Sequence, residues 1–264
     1  MFRYREDRLP VLIIVFLFLL DVTVFFAIQN RWFIVAWFSF SVFPKMAISA
    51  WNHHHQHLST FRNKYLNRAL EFVYTLHTGM TTNVWILHHN LGHHVNYLDQ
   101  TKDESRWKRK DGSKMGMIEY TLVTALTGYT RALQVARKHP RYQSGLFKMG
   151  VITLGFLGVL AYYNWFNTVF VFVLPMLGGY LTTCWHTYFH HAGLDTDDHF
   201  HASYNITHKW YNILTGNLGY HTAHHMKQGL HWSKLPEFHK EIEAQIPEHL
   251  YRLPSVPLRW LPSR

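Results

Sequence analysis

Apolar positions in this chain gather into four long runs. Residues 10–29 read PVLIIVFLFLLDVTVFFAIQ, and residues 32–50 follow after the short turn Gln29-Asn30-Arg31. Residues 147–166 and 168–185 form a second such pair, separated by a turn around Asn164 to Asn167. Each run is long enough to cross a bilayer core of about 30 Å as a helix. The pattern predicts two helical hairpins with a long polar segment between them. Two shorter runs, near 69–87 and 118–135, are interrupted by polar groups. They read as interfacial or extramembrane helices.

Charge gives these runs a direction. The head carries Arg3, Arg5 and Arg8, and residues 52–148 carry 14 Lys and Arg against 6 Asp and Glu. The first predicted turn holds one arginine and the second holds no charge. Positive segments stay on the cytoplasmic side, so head, middle segment and tail are all expected there. The first run is too long for the apolar part of a leader, and no small-residue cleavage site follows, so it reads as a retained anchor. The predicted fold is all-α and integral to the membrane, with a single domain over residues 1–264. Four spans carry a cytoplasmic helical cap built from residues 51–146 and 186–264.

Composition then narrows the chemistry. Hydrophobic residues make up 48% of the chain, yet mean hydropathy is only −0.14, because the charge is confined between the runs. The net charge of +10 fits anionic lipid or an acidic protein. It does not point to nucleic acid, for which no motif is present. Cys184 stands alone, which excludes an internal disulfide and a cysteine-ligated iron–sulfur cluster.

The unusual residue is histidine, 22 of 264. His53-His54-His55-Gln56-His57 begins where the second run ends. His88 is followed by His89-Asn90-Leu91-Gly92-His93-His94, an HxxxHH pattern. His221-Thr222-Ala223-His224-His225 is HxxHH. His186, His190 and His191 lie at the end of the fourth run, and His199, His201 and His208 follow. Residues three or four apart share a helix face, and convergent imidazoles suit a transition metal. The clusters offer too many nitrogens for one ion and enough for two. With no thiolates and an apolar, oxygen-containing membrane at hand, two irons that activate oxygen fit best. A membrane metal transporter is the contrasting reading, but it would place ligands within the spans, where histidine is scarce.

The three clusters, in this order and beside these hairpins, resemble the three histidine boxes of the membrane fatty acid desaturase and hydroxylase superfamily, across roughly residues 51–235. HHHQHLSTFRNKYLNRALE and NLGYHTAHHMKQGLHWSKLPEFH look like acyl desaturases. HNLGHHVNYLDQTKDESRW and Thr187-Tyr188-Phe189-His190-His191-Ala192-Gly193-Leu194 are similar to membrane alkane hydroxylases. His54 stands where a first-box acid is common, and Thr187 where the hydroxylases carry Asn. The resemblance implies nine ligands: His53, His57, His89, His93, His94, His191, His221, His224 and His225. It also implies two ferrous ions, molecular oxygen, a fatty acyl or other long-chain apolar substrate, and electrons from a separate ferredoxin, rubredoxin or cytochrome b5 type donor with its reductase. Desaturation is the leading reaction; hydroxylation and oxidative decarboxylation to a terminal alkene are the alternatives.

Around this set, Asp99, Asp103, Asp195, Asp197 and Asp198 are candidate carboxylates to orient ligand histidines, although loop acids are more often simply solvated. Asn205 and Asn217 are candidate amides. Lys102, Arg106, Lys108, Arg109, Lys110 and Lys114 form a basic patch suited either to an acidic electron donor or to anionic lipid.

Overall fold

A computed structural model describes residues 1–263. The described chain is helical, with only isolated β-bridges. It divides into two compact units: Met1–Leu87 with Ala136–Thr183, and His88–Val135 with Cys184–Arg264.

The first unit opens with α1 (Arg8–Ala27) and α2 (Arg31–His57). The intervening turn works as the sequence suggests. Asn30 is the N-cap of α2, its side-chain oxygen accepting from the backbone N–H of Trp32 at 2.9 Å and Phe33 at 3.2 Å, which satisfies donors at the helix start. Leu12, Phe16, Leu19 and Phe26 on α1 face outward, as lipid-facing side chains do. Val11, Ile14 and Ile48 turn inward against Leu70, Val73 and Tyr74 of α3 (Lys64–Thr78). Gly79 ends α3 with φ +66°, and a Cβ there would stand 2.6 Å from the Met176 carbonyl oxygen. Glycine meets both the left-handed turn and the close approach.

Among the described residues three helices, not four, are long and apolar enough to cross a membrane: Arg5–Ala27, Arg31–His57 and the 52-residue stretch Pro140–His191. The last contains both predicted runs as one helical stretch, made of α5 (Pro140–Asn167), a π-helical segment (Thr168–Val173) and α6 (Leu174–His191). It is bent at Asn164, whose φ of −155° and ψ of 92° are non-helical. The Phe156 and Phe172 ring centroids lie 6.0 Å apart, whereas sixteen residues of straight helix span about 24 Å. The stretch therefore doubles back at Asn164. Asn167 holds the bend against the end of α1, its Nδ2 donating to the carbonyls of Phe25 at 3.0 Å and Ile28 at 2.9 Å.

The charges within the first two apolar runs face each other. Lys45 donates to Asp21 at 2.8 Å and to the Val171 carbonyl at 3.1 Å, and Trp37 Nε1 also donates to Asp21 at 3.0 Å. Both ionic side chains are 1% exposed. Three segments thus meet at the Lys45 ammonium.

The second unit holds α4 (Met117–Ala136), α7 (Lys209–Thr215), α8 (His221–Met226) and α9 (Leu235–Ile242). Its larger core packs Tyr204, Ala223, Leu235, Phe238, Ile242, Ile246 and Leu250. α4 coincides with the predicted 118–135 helix, and α3 with the first part of 69–87.

Candidate metal centre

The first histidine box lies on the last turn of α2. His53 and His57 present their Nε2 atoms 3.1 Å apart, as i, i+4 spacing on one face allows. His55 points elsewhere. Its Nδ1 lies 2.9 Å from Thr60 Oγ1, and its Nε2 lies 3.5 Å from Glu71. Glu71 also accepts from Thr82 at 2.7 Å and Arg68 at 2.5 Å. His55 is a structural residue.

The second box does not sit on an α-helix. Trp85–His94 is wound as a π-helix, whose hydrogen bonds join residues five apart. That winding brings position i+5 over position i, so His89 and His94 meet with Nε2 atoms 3.0 Å apart. The HxxxHH spacing becomes a single ligand face, with His93 stacked on His89 at 5.2 Å between centroids.

The third box is the two-turn helix α8, and its start is built with care. Asn205 is fully buried. It donates to Thr222 Oγ1 at 2.8 Å and accepts from the Thr222 N–H at 3.1 Å. Gly219 lies so close to its neighbours that a Cβ would fall 2.0 Å from the Ile206 carbonyl oxygen and 2.6 Å from Asn212 Oδ1. Asn217 adopts φ +63° and donates to the Trp232 carbonyl at 3.2 Å. It shapes the turn into α8.

Two groups of nitrogens converge within the second unit. The donor atoms of His89, His94 and His224 lie within 4.8 Å of one another, and so do those of His93, His191 and His225. His221 adjoins the latter group, with its Nε2 2.9 Å from His191 and 3.2 Å from His225.

Proton positions test whether a cation fits. Both carboxylate oxygens of Asp103, at 2.9 and 3.0 Å, face His93 Nδ1. The Ala202 carbonyl faces His191 Nδ1 at 3.0 Å. A carboxylate and a carbonyl only accept, so each Nδ1 carries a proton, and in the neutral ring that ligates metals each Nε2 is left with a lone pair. Those two Nε2 atoms stand 3.3 Å apart. Two lone pairs at that distance repel, and a cation between them removes the conflict. Burial and the surrounding imidazoles also hold His225 well below its ordinary pKa, which keeps it in the neutral form that ligates metals.

The neighbouring histidines separate from this set. His190 donates from Nδ1 to the Tyr204 carbonyl at 3.0 Å and takes the Tyr211 hydroxyl on Nε2 at 3.0 Å, so both nitrogens are used. His88 hydrogen-bonds the Glu104 backbone, and burial pushes its pKa down to about 3. His186 stands edge-on to Tyr211.

Of the five candidate acids, only Asp103 reaches a candidate ligand; it is 1% exposed. Asp99 pairs with Lys102, Asp195 with Lys108, and Asp198 with His201, while Asp197 is exposed. The basic patch is largely neutralised from within. Lys102, Arg106, Lys108 and Arg109 have the acidic partners Asp99, Glu104, Asp195 and Glu119. A residue that the spacing did not single out is Tyr97. Its ring lies 4.3 Å from that of His225 and its hydroxyl is bonded to His199 Nδ1. Its position three residues after His94, on the turn leaving the second box, was the available signal.

The fatty acid desaturase family model matches residues 9–257. No curated protein and no solved structure matches the chain significantly. With a match across nearly the whole sequence, the chain belongs to the fatty acid desaturase family.

Proposed function

We propose that this protein is an oxygen-dependent, di-iron oxidoreductase that removes hydrogen from an unactivated C–H bond of a fatty acyl chain, most simply as a desaturase. The observation that carries the reading is the approach of the His93 and His191 Nε2 atoms to 3.3 Å, each ring with its Nδ1 on an acceptor, in a chain of this family. The nine ligands are His53, His57, His89, His93, His94, His191, His221, His224 and His225. His53 and His57 enter on their HxxxH spacing and mutual approach alone. Zinc would satisfy imidazoles equally well; iron is preferred because the family's oxidative chemistry needs a redox metal.

Two bound irons would supply the oxygen activation that hydrogen abstraction requires. The protein's own part is positional. Asp103 and the Ala202 carbonyl hold protons on the Nδ1 atoms of His93 and His191, which fixes both tautomers. Asn205 and Thr222 fix the start of α8, and hence the direction of His221, His224 and His225. Burial of these rings keeps water from the reacting carbon. Electrons come from a separate donor protein. The membrane topology we propose has four crossings, the third and fourth being the two limbs of Pro140–His191, with both termini and the histidine boxes on the cytoplasmic side of a single domain.

A hydroxylase reading rests on one specific feature. The second box has the HxxxHH form, and His191 joins its nitrogens. Expression of the full chain in a host, with mass spectrometry of its lipids and hydrocarbons beside a His224→Ala variant, tests the proposal. An unsaturated acyl product lost in the variant supports desaturation. An oxygenated product or a terminal alkene transfers the assignment to the corresponding alternative. Two irons per chain are expected in the purified protein.

A further inference from the structure

Two segments of the second unit leave an apolar surface that no described part of the chain covers. On α7, Trp210, Ile213 and Leu214 share one face and are exposed, while Tyr211, Asn212 and Thr215 turn inward. The C-terminal tail exposes Leu253, Val256, Trp260 and Leu261, with Trp260 at 75%.

The two segments adjoin. His208, the residue before α7, donates from Nε2 to the Leu261 carbonyl at 3.1 Å. The start of the tail is held by two backbone bonds, Asn205 N–H to Leu250 O and Arg252 N–H to Asn205 O, each 2.8 Å. The tail is thus held at both ends, and its apolar side chains are presented outward.

The charge around this surface has one sign. Lys209, Arg252 and Arg259 are exposed, and neither residues 202–218 nor residues 249–263 contain an Asp or Glu. Tryptophan with aliphatic residues and unbalanced lysine or arginine is the composition that seats a segment at the headgroup boundary of a membrane. An acidic soluble partner would answer the cations but would leave the aliphatic side chains without apolar cover. We infer that α7 and the tail together form an in-plane membrane contact, bound to the surface of an anionic leaflet. The inference rests on the chain being membrane-embedded, and carbonate extraction checks that separately. Asn205 gives the contact a link to the site, since its backbone holds the tail and its side chain holds Thr222 of the third box.

The test uses the full chain in lipid nanodiscs with the buried Cys184 replaced (Cys184→Ser). A spin label is placed at Leu261→Cys or Ile213→Cys, with Lys240→Cys on α9 as the aqueous reference. Collision rates are measured with oxygen, which partitions into lipid, and with a water-soluble nickel chelate. In discs containing phosphatidylglycerol, the oxygen-to-nickel ratio at 261 and 213 is expected to be several-fold above that at 240. The ratio should fall in purely zwitterionic discs, and also after Lys209→Glu with Arg259→Glu, because each basic side chain is worth about fivefold in partitioning to an anionic surface. Ratios equal to the reference would overturn the proposal, since the face would then be in water. Exclusion of both colliders would overturn it in favour of a second copy covering the face. A high ratio that ignores lipid charge would overturn the assignment to an anionic leaflet.

Discussion

Replacing Asp103 isolates the orienting group from the metal ligands themselves. The carboxylate is 1% exposed, and its two oxygens sit 2.9 and 3.0 Å from His93 Nδ1. Asp103→Ala leaves a buried N–H without an acceptor, which costs about 1–3 kcal/mol. The imidazole can recover by moving its proton to Nε2, the atom that faces His191. A metal must then displace that proton, so the penalty passes to metal affinity. One to three kcal/mol corresponds to about five- to 150-fold, which brackets the 10–100-fold found when such outer carboxylates are removed. Asp103→Asn keeps an acceptor oxygen and loses only the charge, so it should fall between wild type and alanine. Competition for iron or zinc against a chelator of known affinity, on purified protein, reads this without turnover. Asp103 Oδ1 also accepts from the Ser105 N–H at 2.7 Å, so some loss of thermal stability is expected alongside. If the alanine variant holds metal within twofold of wild type, with full stoichiometry, the carboxylate does not control the His93 tautomer and the argument for the facing lone pairs fails.

Other outcomes follow from the same geometry. Gly219→Ala forces a Cβ to within 2.0 Å of the Ile206 carbonyl oxygen; it should misplace α8, lowering the thermal midpoint and metal content together. In the first unit, Lys45→Met alone leaves Asp21 buried and unpaired and should cost about 3–5 kcal/mol, whereas Lys45→Met with Asp21→Leu should recover most of it. Thermal unfolding in detergent decides this, and equal losses in the single and double variants would contradict it. Burial holds His239 below its ordinary pKa. The folded state therefore resists its protonation, so its contribution to stability is complete above about pH 6.5 and is lost as pH falls below that value. His239→Gln should flatten the acid side of the stability profile between pH 7 and 5. Chelation of the bound metal should lower the thermal midpoint of the wild type more than that of His224→Ala, because only a bound metal stabilises the native state.

Much of the fold was readable because long apolar runs and cap residues act locally. Asn30 caps α2 whatever surrounds it, and the turn before it needs no tertiary information. The merging of the third and fourth runs was less visible. Asn164 breaks the backbone pattern at one residue, and helical hydrogen bonding resumes at once, so no loop separates the limbs. The π winding of Trp85–His94 left only an indirect trace. HxxxHH fits an α-helix poorly, because position i+5 falls away from position i, and that mismatch was the trace the winding left in the sequence.

The candidate ligands and the groups that orient them differ in how they can be read. Ligands come from helices, where spacing dictates which rings share a face, so HxxxH, HxxxHH and HxxHH are informative by themselves. The orienting groups come from loops and from the backbone. Asp103 is one of five similar acids along the chain, and only its burial beside His93 distinguishes it. The Ala202 carbonyl has no residue-type signature, since any residue there would supply it. His190 shows the converse. It is adjacent to His191 and equally suited to a metal by type, yet the Tyr204 carbonyl and the Tyr211 hydroxyl occupy both its nitrogens. Choosing between neighbouring histidines is thus a question of where protons are held. At His93 and His191 an acceptor on Nδ1 leaves Nε2 for the proposed metal, whereas at His190 the Tyr211 hydroxyl takes it.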